Sequence, residues 1–333
     1  MWLLRNRTPY AAGRNWVRDP RGVHWYLIAV RCSYTLESRG RLDLADEQPP
    51  PVLVPEYTGV AGASSLRLDS DLLERKPGTD VIVLGSAHAP RGRPAPSVSV
   101  VLRAGALEKQ LLVHGDRVYR AGAAGLATTS PQPFVARPII YELAFGGHDT
   151  GVPDPRRQHL DERNPIGRGF PSHGRKDQPA HCIEYSSGAA EARGPAGFGP
   201  IDRSWLPRRT FAGTYDAKWM DSKWPLLPDD YDPRFAMCAP ADQQTAAPMS
   251  GGERIGLFNM SPDGALAFDL PRTALRLSTS IRGRRHEHGA NLTTVVVEPE
   301  LMRLSVCWQS ALRVAAPDVD YVSTTDIDER GAR

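Results

Sequence analysis

The chain has 333 residues and a formal net charge of +3 at pH 7, with 30 glycines and 30 prolines. Proline removes a backbone donor and glycine costs backbone entropy, so this composition argues against long helices and favours short strands joined by turns. The small net charge does not by itself indicate nucleic-acid binding, and no apolar run approaches the ~20 residues of a membrane-spanning helix.

Residues 20–145 carry the patterns of several strands. The longest pattern is at residues 23–36, where both faces are apolar in the first part, as in a strand buried on both sides. Between two later strand patterns, Ala104-Gly105-Ala106 is short enough to form a hairpin. One helical turn is predicted at residues 70–74. Apolar runs predict further strands at 40–44, 80–85, 97–103 and 107–113.

Strand patterns return in residues 251–315. The motif Ser261-Pro262-Asp263-Gly264 separates two apolar runs and predicts a turn, because proline presets φ and glycine accepts a positive φ. Residues 318–333 are polar and terminal, so we expect them to be loose. Alternating apolar residues predict strands at 253–260, 265–270, 275–281, 292–297 and 302–308.

Together these patterns predict an all-β protein, with a β-sandwich-like core, a long irregular insertion rich in Gly, Pro and aromatic residues, and few short helices. We predict a single β-rich unit over residues 1–317. It is strand-rich at 20–145 and 251–315 and irregular at 146–250. The four cysteines form no CxxC pair, which predicts buried free thiols rather than a disulfide framework and favours a reducing compartment.

The middle of the chain, residues 141–243, lacks periodicity but is rich in aromatic residues and arginine. Disordered segments are poor in aromatics, so this stretch is expected to be ordered and functional. A short helix is predicted at 215–223, capped by Thr214. The tryptophans and arginines have two interpretations. They form the core of this segment, or they form a protein-binding surface, where Trp, Tyr and Arg are the usual anchors.

The acids and histidines that could serve catalysis or metal binding also have structural interpretations. Glu142 and Asp161 are a candidate carboxylate pair for a carbohydrate-active β-sandwich hydrolase, but neighbouring arginines explain these acids equally well as ion pairs. The pair His286 and His288 lacks a third ligand and is interpreted as part of a solvated hairpin loop. No nucleophile or phosphate-binding motif occurs, so we expect no enzyme activity, no metal and no cofactor. A third hypothesis is nucleic-acid binding through the 36 arginines.

A spaced series of residues in the middle segment resembles a known signature. It resembles that of bacterial domain-of-unknown-function family 2169, over roughly residues 8–312. The residues that carry the resemblance are Tyr141-Glu142, Phe145-Gly146-Gly147, Asp161, Arg163-Asn164-Pro165, Gly167-Arg168-Gly169-Phe170, Gly197-Phe198-Gly199-Pro200-Ile201, Arg203, Trp205-Leu206-Pro207-Arg208, Ala212-Gly213-Thr214-Tyr215-Asp216, Trp219 and Asp242-Gln243. One departure is the polar segment 172–193, to which no family role maps.

The resemblance implies a function, because proteins of this family are encoded beside type VI secretion genes. It implies a non-enzymatic adaptor or chaperone that binds an effector, or the PAAR-like domain attached to it, and helps to load it onto the spike protein. The first ten residues, MWLLRNRTPY, have too short an apolar run for a secretion signal, so we expect a cytoplasmic protein that binds neither membrane nor nucleic acid. The candidate protein-binding residues are Tyr141, Phe145, Arg163, Arg168, Phe170, Phe198, Arg203, Trp205, Arg208, Tyr215, Trp219 and Asp242.

Overall fold

The structure is a computed structural model that describes residues 3–37, 40–122, 125–149, 152–170 and 176–329. It is mostly β with few short helices, which confirms the predicted all-β class. The strands in these residues are β1 (Leu3–Asn6), β2 (Ala11–Arg18), β3 (His24–Leu36), β4 (Leu42–Leu44), β5 (Glu56–Tyr57), β6 (Leu66–Leu68), β7 (Asp80–Val83), β8 (Ser86–His88), β9 (Ser97–Ala104), β10 (Leu107–His114), β11 (Tyr119–Gly122), β12 (Gly125–Thr128), β13 (Ala136–Pro138), β14 (Phe145–Gly146), β15 (Arg168–Gly169), β16 (Ile183–Tyr185), β17 (Arg254–Phe258), β18 (Ala265–Asp269), β19 (Leu275–Ile281), β20 (Arg284–His288), β21 (Asn291–Glu298), β22 (Arg303–Val314) and β23 (Val322–Glu329).

The helices are short, as the glycine and proline content predicts. The two α-helices of the described residues are α1 (Ala190–Arg193) and α2 (Ala217–Ser222). None of the helices there combines the length and the apolarity that crossing a bilayer requires. The 3-10 helices are at Pro90–Gly92, Tyr141–Leu143, Pro155–Arg157, Arg208–Ala212, Pro233–Ala236, Ala241–Gln243, Pro299–Leu301 and Ala316–Tyr321.

A central sheet has the strand order β2-β3-β22-β21-β7, with β4 also paired to β3. The longest strand pair in this sheet is the antiparallel pair of β3 and β22. It extends from Thr35 opposite Arg303 to His24 opposite Val314. The edge strand β7 runs parallel to β21. The predicted strands at 23–36, 80–85, 292–297 and 302–308 therefore lie in one sheet, although more than two hundred residues separate the first from the last.

Two further large sheets lie beside it, and the described residues also form the two-stranded pairs β5–β6, β8–β13, β11–β12 and β14–β15. A five-stranded sheet has the order β16-β10-β9-β17-β18, and its hairpins β9–β10 and β17–β18 are antiparallel as predicted. A four-stranded sheet has the order β1-β23-β19-β20, in which β1 runs parallel to β23.

The main core lies where these three sheets face each other. Ile28 of β3, Val100 of β9 and Leu277 of β19 are fully buried in one hydrophobic cluster. Burial of each such side chain stabilises the fold by ~1.5–3 kcal/mol. The same cluster includes Phe198 and Trp205, so the middle segment packs on the β core.

The opposite face of the central sheet is also covered, but by loops. Leu27 and Ala29 of β3 pack with Leu72, and Ile82 of β7 packs with Cys238. The burial of alternate faces of β3 confirms the double-sided strand predicted at 23–36. All four cysteines are free and buried, so Cys32 and Cys307 pack as small apolar residues.

Three predictions of secondary structure were wrong. Residues 322–329 of the expected loose tail form β23, an inner strand of the four-stranded sheet, because Thr325 and Ile327 point into the fold and polar residues alternate with them. His286 and His288 lie within β20 rather than in a loop. Residues 70–74 form a non-helical turn instead of the predicted turn of helix. The Asp71 carboxylate accepts from Val52 N at 2.8 Å and so ties this turn to the segment before β5.

The short helix predicted at 215–223 exists as α2, but its cap is wrong. The side chain of Asp216 caps the helix by accepting from Trp219 N at 2.8 Å. Thr214 instead bonds Asp230, to which its backbone N donates at 3.0 Å and its hydroxyl at 2.7 Å. A carboxylate two residues along the chain therefore takes the role that the sequence assigned to a hydroxyl.

Candidate protein-binding surface

The glycine-rich motifs of the middle segment are built around Asn164. The Asn164 side chain is fully buried, and its amide donates to the carbonyls of Tyr141 at 2.9 Å and Phe145 at 3.0 Å. Gly146 has φ 146° and lies against the Asn164 carbonyl, so a side chain at this position would collide with it. The motif is thus a backbone junction that holds β14 parallel to β15.

Four of the predicted binding residues form the interior of this segment. The Tyr141 hydroxyl donates to Gly199 O at 2.9 Å, and its ring meets Trp205 edge to face at 5.5 Å. Phe145 packs edge to face on His181 at 5.5 Å, and Phe198 is fully buried. The core interpretation therefore describes these four aromatic side chains in the folded chain.

A buried carboxylate anchors two of the predicted arginines. Asp69 accepts from Arg208 Nη2 at 2.5 Å and from Arg203 Nη2 at 2.5 Å. Burial acts to raise the pKa of Asp69, but the two guanidinium groups outweigh it and lower the pKa. Arg208 also donates to the carbonyls of Ile201 and Phe235, at 2.7 Å and 3.0 Å. This network ties the middle segment to the loop before β7.

The two carboxylates of the hydrolase hypothesis each bond to a neighbour in the fold. Glu142 accepts from Ser65 N at 2.8 Å and from the Ser65 hydroxyl at 2.5 Å. Asp161 accepts from Arg163 Nη2 at 2.6 Å and Nε at 2.8 Å. Asp161 thus forms the ion pair with an arginine that the structural interpretation expected, whereas the Glu142 carboxylate bonds Ser65 rather than an arginine.

Asp242, whose side chain is 38% exposed, pairs with a buried lysine that sequence reasoning missed. Its carboxylate accepts from Lys109 Nζ at 2.8 Å, and the Gln243 side-chain oxygen accepts from the same ammonium at 2.8 Å. The ammonium lies 5.4 Å from the Tyr185 ring centre and 5.5 Å from that of Phe198. Burial lowers the pKa of Lys109 to about 8, although Asp242 opposes the shift.

A buried polar cluster lies where β10 pairs with β16. The Ser97 hydroxyl is 2.7 Å from His114 Nδ1. The Glu184 carboxylate forms an ion pair with Arg117 Nη2 and lies 3.1 Å from His181 Nε2. Burial, followed by the charge of Arg117, lowers the pKa of His114 to about 4. Burial acts to raise the pKa of Glu184. Hydrogen bonds from His181 and Arg117 stabilise the charged carboxylate more strongly and lower the pKa to about 2. The cluster holds a neutral histidine beside an ion pair.

A groove of about 270 Å³ opens on the surface of the middle segment. Its apolar lining includes Leu206, Phe211 and Met237. Four arginines also line it, which are Arg163, Arg193, Arg208 and Arg234. Two of them stack on aromatic rings of the groove, with the Arg193 guanidinium 4.0 Å above Tyr185 and the Arg234 guanidinium 4.3 Å above Phe211. Such stacked guanidinium groups retain donors at their edges.

A second surface feature surrounds α2. Tyr215, Met220 and Trp224 are 53%, 58% and 65% exposed, although all three are large apolar side chains. The segment is nevertheless fixed in place. Tyr215 packs on Trp219 with ring centres 4.7 Å apart, and Trp219 Nε1 donates to Leu226 O at 2.9 Å. We name Tyr215, Met220 and Trp224 the α2 patch.

The twelve predicted binding residues therefore divide into groups. Arg163 and Arg208 line the groove, and Tyr215 with Trp219 belongs to the α2 segment. Arg168 and Phe170 serve the Asn164 junction: Arg168 Nε donates to Glu142 O at 3.0 Å, and Phe170 N donates to Gly146 O at 2.9 Å. The remaining six were described above. They are the four residues of the aromatic interior, Arg203 bound to Asp69, and Asp242 bound to Lys109.

Several residues of these surfaces were absent from the predicted set. Arg193 lies in the polar segment 172–193, which showed no pattern, and only its position at the end of α1 brings it over Tyr185. Met220 and Trp224 carried a usable signal, since one lies within and the other just after a helix of only six residues, too short to bury a face of its own.

The fold and its surface define a class: an all-β protein whose middle segment is held by buried polar networks and presents an arginine-lined groove and an exposed apolar patch. The chain belongs to the family described as an uncharacterized protein conserved in bacteria, DUF2169, whose family model matches residues 21–309. This match confirms the family predicted from the motifs. Comparison with curated proteins and with solved structures gave no match.

Proposed function

We propose that this protein is an adaptor-chaperone of type VI secretion. In this proposal it binds an effector, or the PAAR-like domain attached to it, in the cytoplasm and assists its loading onto the spike protein. The secretion role rests on the family resemblance of the motifs. The protein-binding role rests on the structure, and the observation that carries it is the α2 patch.

The α2 patch supports protein binding for a physical reason. Exposed apolar side chains scattered singly are ordinary, but Tyr215, Met220 and Trp224 lie within ten residues of one another on a segment held by capping and ring packing. Tryptophan and tyrosine are the residues most enriched at the energetic centres of protein interfaces. A fixed segment also loses little conformational entropy on binding.

Co-expression with the PAAR-like effector of the adjacent gene tests the proposal. With the full chain present, we expect more soluble effector, its recovery in a complex with this protein, and its secretion. Trp224→Ala combined with Met220→Ala should weaken the complex at least about tenfold, as loss of two interface anchors does.

The matched control is Leu301→Ala, because Leu301 is 61% exposed and lies in the 3-10 helix Pro299–Leu301, away from α2 in the chain. It should bind the effector like the unmodified protein. An effector that is equally soluble, abundant and secreted without this protein would refute the proposed function. Equal binding by the double variant and the control would remove the α2 patch from it.

A further inference from the structure

The groove differs from the α2 patch in its charge. Four arginines line it, and no aspartate or glutamate is among the described residues that do so. The carboxylates that pair with these arginines lie outside the groove: Asp161 bonds Arg163, Asp69 bonds Arg208, and Asp232 bonds Arg234. The lining of the cavity therefore combines guanidinium groups with apolar side chains.

Arg193 is the arginine whose charge is available to a ligand. Its Nη1 donates to Ser187 O at 3.1 Å, and among the described residues no carboxylate pairs with it. The guanidinium stacks 4.0 Å above the Tyr185 ring, which fixes its plane. A guanidinium held in this way presents parallel N–H donors that match a carboxylate in bidentate geometry.

The apolar residues that line the groove determine which side chains can bind beside that carboxylate. Leu206, Phe211 and Met237 offer apolar contact, and the volume of about 270 Å³ accommodates side chains rather than a folded domain. A nucleic-acid backbone requires a track of cations that replaces several counterions. Among the residues that the structure describes, three of the four arginines have carboxylate partners, and a single remaining cation beside apolar side chains does not meet that requirement.

We infer that this groove binds an acidic peptide segment of a partner protein, in which carboxylate side chains alternate with apolar ones, and that Arg193 binds a carboxylate. The assignment of that partner as the secreted effector rests on the proposed function. The groove's preference for an acidic, apolar segment follows from its lining alone.

The test uses the purified full chain and a fluorescein-labelled, C-terminally amidated peptide of alternating Asp and Leu, with an Asn and Leu peptide as its match. Fluorescence anisotropy should show binding of the Asp peptide that is at least about tenfold tighter than that of the Asn peptide. Binding should weaken when salt rises to about 0.3 M, because the contact is partly electrostatic and exposed.

Arg193→Glu and Arg193→Gln should each reduce the affinity for the Asp peptide about tenfold or more. The matched control is Arg93→Glu, which makes the same charge change at an exposed arginine outside the groove. Near-ultraviolet circular dichroism verifies folding, and Arg193→Gln removes the charge without adding a carboxylate, in case the charge reversal unfolds the chain. The inference is overturned if both Arg193 variants bind like Arg93→Glu, if Asp and Asn peptides bind equally, or if oligothymidine binds more tightly than the Asp peptide.

The two proposals fail separately. If the Asp peptide binds through Arg193 but the effector is soluble and secreted without this protein, the proposed function is wrong and the groove assignment stands. If the effector depends on this protein but the peptide does not bind, the groove assignment is wrong and the proposed function stands.

Discussion

Arg208 Nη2 donates to the Asp69 carboxylate at 2.5 Å, joining residues that are 139 positions apart. Both side chains are almost fully buried, at 4% and 2% exposure. The pair lies where the loop before β7 meets the 3-10 helix Arg208–Ala212 at the groove. Its role is to fix the backbone that carries Arg208 and Phe211 into that groove.

Asp69→Ala should therefore destabilise the protein strongly. Removing one partner of a buried ion pair leaves the other charge uncompensated, which lowers the free energy of unfolding by ~3–5 kcal/mol. Urea denaturation followed by tryptophan fluorescence measures this. Asp269→Ala is the control, because its pair with Arg254 is exposed on both sides and should contribute less than about 1 kcal/mol. Equal losses in the two variants would contradict the structural role.

Asn164→Ala should destabilise the junction of β14 and β15. The substitution leaves the buried carbonyls of Tyr141 and Phe145 without the amide donor that now serves both. The Tyr141 carbonyl keeps a hydrogen bond from Ala144 N at 3.1 Å, whereas the Phe145 carbonyl loses its side-chain donor. An unsatisfied buried carbonyl costs about 1–3 kcal/mol, so the free energy of unfolding should fall by about that amount. Asn291→Ala, at an exposed position, should change it by less than about 0.5 kcal/mol in the same urea titration. A loss no larger than that of Asn291→Ala would show that the motif is not built on this side chain.

The main strands could be predicted because their signal is local. Residues 23–36, 97–103 and 275–281 show apolar patterns that follow directly from which faces are buried. β23 escaped prediction because its buried positions include the polar residues Thr325 and Asp326, on opposite faces of the strand, which hydrogen bond to Thr279 and Arg285. Such partners are distant in sequence, and a polar strand without them looks like a loop.

The surface was less predictable than the fold. The motif residues Asn164 and Gly146 are specific because they shape the backbone, and nothing in a sequence separates that role from binding. Arg193 joins the groove only through the turn that follows β16, so no spacing indicated it. The aromatic composition did indicate that the segment is ordered, which its packing in the main core shows.

Acid should destabilise the protein through two histidines before its carboxylates titrate. Burial lowers the pKa of His114 and of His288 from 6.5 to about 4. The folded state then binds fewer protons than the unfolded state, so stability is full above about pH 6.5 and falls as the pH drops toward 4. Each histidine should contribute a loss on the order of 2 kcal/mol between pH 7 and 4.5.

Urea denaturation of variants at several pH values verifies the acid effect. His288 lies 2.8 Å from the Thr279 hydroxyl and 2.6 Å from that of Ser310, so His288→Gln removes a titrating group that is held in the fold. This variant should show a shallower decline between pH 7 and 4.5. His286→Gln, at an exposed position on the same strand, should keep the full slope. Identical slopes for both variants would refute the assignment.

The pair of Lys109 and Asp242 predicts an asymmetry between its two partners. Lys109→Met replaces a buried ammonium with an apolar side chain of similar length but leaves the buried Gln243 side-chain oxygen without its donor, so it should lower the free energy of unfolding by only about 1–2 kcal/mol. Asp242→Asn leaves that ammonium, 2% exposed, without its carboxylate and should lower the free energy of unfolding by about 3 kcal/mol near pH 7. In the background of Lys109→Met, the same Asp242→Asn change should lose most of its effect, because no buried charge remains to be compensated.

The stability of the Asp242→Asn variant should depend on pH through the titration of Lys109. The folded-state pKa of Lys109, about 8 with Asp242 present, should fall further without that carboxylate, and both values lie below the ordinary 10.5. The unfolded state then binds more protons, so stability should rise with pH through the folded-state pKa. Asp242→Asn should therefore regain stability between pH 7 and 9 relative to the double variant with Lys109→Met, in which other titrating groups are matched. A constant difference between the two would mean that Lys109 is not a charged group buried against Asp242.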